Sequence, residues 1–184
     1  MNRSGMGGVF TCGIERRKSL RNRALISTIW EVEVFDGRGN LKDHSITRNR
    51  VVDQGLNHIL DVHFGGAAQI DPWYILIFED DYTPLAADTY QVPGFTESIA
   101  YTEAARQIFV ETVASGKSIN NTSNKAVFTI NATKTIYGGA LVSLVTINDQ
   151  TAGNFMYCAS NFGAKAVEAT DTFKVSLTIS ATDM

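Results

Sequence analysis

Sulfur, proline and histidine are all scarce in this chain: two cysteines, three prolines and three histidines among 184 residues. Cys12 and Cys158 stand far apart, and neither a CxxC pair nor a Cys/His metal spacing exists, so a disulfide framework is not expected. Both read as free thiols of a reducing compartment. No apolar run reaches the length needed to span a bilayer, so no membrane partner is expected. The basic leader is not followed by an apolar stretch of signal-peptide length, so export by that route is not expected. The signatures of common catalysts are missing as well: there is no Walker loop, GxGxxG, HExxH or GxSxG. These absences point away from an enzyme and imply no cofactor and no metal.

Charged residues are also few, at 19%, and they are unevenly placed. Residues 1–23 carry six basic side chains against Glu15 alone, a net +5, while the rest carries ten basic against eighteen acidic, a net −8. A basic leader on an acidic body is a polarised molecule, suited to an acidic neighbour or an anionic surface. The run "ERRKSLRNR" lacks interleaved aromatics, and nucleic acid is not the expected partner. Residues 1–26 read as an extended arm, and residues 27–184 as one domain.

What is present is β-patterning. Trp30, Val32 and Val34 alternate with Glu31 and Glu33, and Asp36-Gly37-Arg38-Gly39-Asn40 supplies hairpin chemistry. Phe173, Val175, Leu177 and Ile179 alternate with polar residues in the clearest strand of the chain. "WYILIF" (Trp73 to Phe78) is unbroken and short, the mark of a strand buried on both faces. Further strands are expected at 99–101, 106–113, 126–130, 135–145 and 155–160. One short helix is expected, with Val52, Leu56, Ile59, Leu60 and His63 on its buried face, Asn49 as its N-cap and Gly65-Gly66 at its end. Gly55 inside it marks close packing. Gly138-Gly139 inside a strand suggests a bend that lets one strand serve two sheets. Many short strands without a βαβ rhythm predict an all-β protein, a sandwich or a jelly roll.

Two clusters invite a chemical reading. His58 and Asp61 lie one helical turn apart with His63 nearby, but their spacing fits no standard metal site, and ordinary packed or surface histidines are expected. Glu79-Asp80-Asp81 opens a long acidic loop with two prolines. A divalent cation or acid/base chemistry is conceivable there, yet a solvated turn is the expected role. Tyr82 and Tyr90 in this loop read as exposed aromatics suited to contact, glycan contact included.

The segments "WEVEVFDGRGNLK", "NRVVDQGLNHILDVHF", "WYILIF", "YTEAARQIF", "NKAVFTINATKTIYGGALVS" and "GAKAVEATDTFKVSLTISA" follow one another in an order that resembles a group of small structural proteins of tailed bacteriophages. The resemblance covers about residues 28–182 and rests on order and spacing. It implies a capsid cement or decoration protein with a jelly-roll-like (Greek-key) β-sandwich, on the exterior of the virion and made in the host cytoplasm. Such a protein acts as a dimer or trimer and clamps adjacent major capsid proteins. A tail or head–tail component with a host-binding role is the alternative. Expected partner contacts are Arg16, Arg17, Lys18, Arg21 and Arg23 in the arm, with Glu79, Asp80, Asp81, Tyr82 and Tyr90 in the loop.

Overall fold

The structure, a computed structural model, describes residues 24–183. Cys12 and the arm contacts Arg16, Arg17, Lys18, Arg21 and Arg23 lie outside the described residues.

Two antiparallel sheets face each other, as expected for an all-β sandwich. The first has β1 (Ala24–Phe35) at its centre, with β2 (Leu41–Arg48) on one side and β10 (Thr172–Asp183) on the other. Two short strands, β6 (Ser118–Asn120) and β7 (Ala126–Thr129), share the far edge of β10 end to end. The second sheet runs β3 (Arg50–Val51), β9 (Met156–Val167), β8 (Lys134–Val142), β4 (Tyr74–Phe78) and β5 (Gln107–Ile108).

Alternation builds the space between the sheets. Register pairs Trp30 with Leu177, Val32 with Val175 and Val34 with Phe173, so all six side chains point inward and all are fully buried. The β1–β2 turn is closed by Asp36. Its carboxylate accepts from the Arg38 and Asn40 amides at 2.9 and 2.8 Å and from the Asn40 side chain at 2.9 Å, which holds its pKa below the usual range. In β4, Ile75 and Ile77 enter the inter-sheet core, while Leu76 and Phe78 enter a second cluster on the outer face of that sheet. The unbroken apolar run is thus buried on both faces.

Several expectations need correction. The chain changes sheets at Asn49, between β2 and β3, where the Asn49 amide donates to Thr28 O at 3.1 Å. The strand carrying Gly138-Gly139 pairs only within the second sheet, with β9 and β4. The glycines serve close approach instead. A Cβ on Gly138 would fall within the Phe78 ring and against the Ser160 carbonyl, and one on Gly139 would sit 2.9 Å from the Trp30 ring. A bulge between Ile136 and Gly138 accompanies them.

The helix, α1 (Asp53–Leu60), is capped by the backbone at Val52, not by Asn49, and continues as a π-helical turn over Asp61–Gly65 that ends at left-handed Gly66. Its buried face holds Gly55 and His58. Leu56, Leu60 and His63, expected inside, face out. The rotation follows from Gly55, where any Cβ would strike the Tyr157 backbone; that contact seats the helix directly on β9.

The expected strand at 106–113 is ordered as a ladder only at Gln107–Ile108, and 99–101 forms a single bridge, Tyr101 with Ile130. β9 instead runs seven residues beyond the expected end at Ser160.

Candidate functional site

The long acidic loop is the most distinctive part of the molecule. It folds back over the outer face of the second sheet as a roof. Beneath it Tyr90 and Phe95 pack on Leu76, Phe78, Val142 and Met156. Phe95 stacks on Phe78 with ring centroids 4.1 Å apart and planes 16° from parallel.

The three leading acids hold the base of this roof. Glu79 binds Lys134 Nζ of β8 at 2.9 Å and accepts from Ser98 Oγ at 2.8 Å. Asp80 accepts from the Thr96 amide across the loop. Asp81 accepts from Asn161 Nδ2 of β9 at 2.8 Å. Tyr82 is half-buried, and its hydroxyl donates to the buried Asp88 carboxylate at 3.0 Å; burial, then Asp88, raises its pKa. Tyr90, expected to be exposed, is 3% exposed and forms part of the roof's underside. The five loop residues expected at a partner contact are therefore all engaged within the chain.

Arg106 fastens the roof. Its Nε and Nη2 donate to the two oxygens of Glu97 at 2.8 and 2.7 Å. Nη1 donates to Tyr90 Oη at 2.8 Å and to Leu144 O at 2.9 Å, and Nη2 also reaches Asp149 O at 3.2 Å. All five guanidinium N–H groups are thereby used. The pair is sealed, with 1% and 6% of its side chains exposed. Burial alone would lower the Arg106 pKa, but the Glu97 carboxylate outweighs it and raises it. From α1, Gln54 Oε1 accepts from the Tyr90 and Met156 amides at 2.9 and 2.8 Å, tying roof to helix and sheet. Sequence reasoning missed Arg106, Glu97 and Gln54. The one signal was an arginine inside the otherwise strand-like "ARQIF".

The outside of the roof shows apolar side chains: Leu85, Val92 and Ile99 are 56%, 71% and 62% exposed. Beside it, Arg48 and Arg50 flank an open depression bounded by Thr83, Pro84 and Asn161. Neither arginine has an ion-pair partner among the described residues.

Nothing among the described residues assembles an activated nucleophile. Cys158 is wholly buried behind the Asn49 corner, and burial drives its thiol pKa far up. The Tyr101 and Tyr157 phenols are raised by burial in the same way. His58, Asp61 and Glu79 do not converge: His58 is buried against Trp73 and Phe155, Asp61 is exposed, and Glu79 is at the roof base. Among the described residues no group of three or more His, Cys, Asp or Glu side chains could hold a metal ion, and no helix is long and apolar enough to cross a membrane. No protein-family model matches the chain, and no curated protein matches it.

Proposed function

We propose that this protein is a structural component of a tailed-bacteriophage virion, a cement or decoration protein that binds the outer capsid and clamps adjacent major capsid proteins. The observation that carries the reading is the roof. The chain's long irregular segment is built as a rigid layer, its acids spent on holding it in place, and it turns apolar residues outward. A loop ordered before it meets a partner forfeits little entropy on docking. The fold around it supplies stiffness, and a jelly-roll-like strand path belongs to the same reading.

In this reading the basic residues 1–23, which precede β1, reach an acidic neighbour, and the roof faces a capsid subunit or a second copy in a dimer or trimer. Binding assembled shells but not loose subunits stabilises the shell by mass action.

The test is the number of copies of this chain per purified particle, measured by quantitative mass spectrometry against the major capsid protein. A ratio near one, or a simple fraction of it, supports a shell component. A few copies per particle would move the chain to the tail or the head–tail junction. Absence from particles would end both readings.

A further inference from the structure

The open end of the sandwich, beneath α1, holds a cleft of about 320 Å³ that none of the preceding reading uses. Ile179 of β10 lies on one side and Tyr157 of β9 on the other, so the cleft enters between the two sheets. A volume of this size is at the lower end for small-molecule sites. Three aromatic side chains form its walls: Trp73, Phe109 and Tyr157. Trp73 meets Tyr157 edge to face at 5.9 Å, with the ring planes inclined at 65°.

The polar groups are two imidazoles, His58 and His63, the Gln69 amide, the Tyr157 phenol and two carboxylates. His58 is 7% exposed and is fixed by Phe155 at 4.6 Å and Trp73 at 5.7 Å. Its ring nitrogens meet no hydrogen-bond partner among the described residues. At the rim stand two carboxylates, Asp71 and Glu111, both exposed and both without an ion-pair partner among the described residues. No lysine or arginine lines the cleft.

We infer that this cleft binds a small amine with a flat apolar body: the ring seats between the aromatic walls and the cationic nitrogen lies at the Asp71–Glu111 rim. Aromatic faces attract a cation as well as an apolar ring, and the rim carboxylates add charge complementarity. The unpartnered His58 ring supplies a hydrogen-bonding atom beside the aromatic walls. The inference stands apart from the virion reading, because it concerns the isolated chain.

The test titrates the full-length protein with 2-phenylethylamine and, in parallel, with 3-phenylpropionate, a body of similar shape and opposite charge. Trp73 in the cleft wall reports binding through its fluorescence, while Trp30 is sealed in the core and gives a constant background. The expected result is a saturable change with the amine, a much weaker one with the acid, and an affinity for the amine about fivefold lower in Glu111→Gln. Glu111 is exposed and unpaired, so this variant keeps its fold. Three results would overturn the inference: no saturable change with the amine, equal binding of amine and acid, or an unchanged affinity in Glu111→Gln.

Discussion

The molecule has two hydrophobic cores on either side of one sheet, and they are built by different rules. The inter-sheet core is made of alternating strands, and its ring of Trp30, Phe128, Phe173 and their neighbours is fully buried without ionic help. The outer core, under the roof, is closed by an irregular segment whose pairing with the sheet is a single bridge, Phe78 with Glu97. Its closure falls to side chains instead, with Arg106 bonded to roof and β8–β9 loop alike. The lesson is that a non-repetitive layer can be as solid as a sheet when a saturated polar hub replaces the ladder.

The comparison can be broken most severely from the inner side. Phe128→Ala should cost about 3–5 kcal/mol and lower the midpoint of denaturant unfolding for the whole domain in one transition. A separate early transition would show that the two cores do not share one cooperative unit.

Arg106→Ala should cost about 3–5 kcal/mol as well, since it leaves the Glu97 carboxylate buried and unpaired. Here the effect should be local. Hydrogen exchange should quicken across residues 79–106 while β1 and β10 stay protected. Replacing both partners with apolar residues, Arg106→Met with Glu97→Leu, should cost less than Arg106→Ala alone. Uniform loss of protection would instead make the roof inseparable from the sandwich.

Gly138→Ala sharpens the comparison at the shared sheet, because the new methyl group must displace the Phe78 ring. A loss of about 1–3 kcal/mol is expected, read as a lower thermal midpoint. Phe78→Leu in the same chain should recover part of it.

The smallest effect lies on the outer face of the first sheet. Glu31 has its pKa lowered chiefly by the hydrogen bond with His44, at 3.0 Å, and further by Ser176 and Lys125, against some desolvation. A carboxyl whose folded pKa is depressed adds stability above its unfolded value, 4.5, and loses it as pH falls through the folded value. Glu31→Gln should therefore flatten the fall in stability below about pH 4.5. An unchanged acid limb would assign that fall to other carboxylates.

The same division governs what the sequence reveals. Period-2 alternation at Trp30–Val34 and Phe173–Ile179 reports a face that is half buried, and both strands are where it places them. The two-sided burial of Tyr74–Phe78 was legible from its unbroken apolar run. The roof was not, because Tyr90 and Phe95 sit among acids and prolines, where no period distinguishes a buried ring from an exposed one. The helix face was misjudged for a related reason: hydrophobicity favoured Leu56 and Leu60, but contact was decided by the absence of a side chain at Gly55. At Gly138-Gly139 the glycine pair was read as a bend between sheets, because nothing in the sequence shows that the Phe78 and Trp30 rings crowd this backbone. Arg106 and Glu97 are nine residues apart with no motif between them, so their pairing was invisible before the chain was folded.

The described chain opens with β1, which is an interior strand, laddered to β10 along one edge and to β2 along the other. This has a mechanical consequence. A pull on the N-terminal end of β1 along the strand axis loads both ladders in shear, so many hydrogen bonds must fail together before β1 slides. Because Ala24 lies opposite Asp183, prising the first strand away from the last would open that ladder one pair at a time. The first strand is thus strong to a load along its axis and weak to peeling from β10.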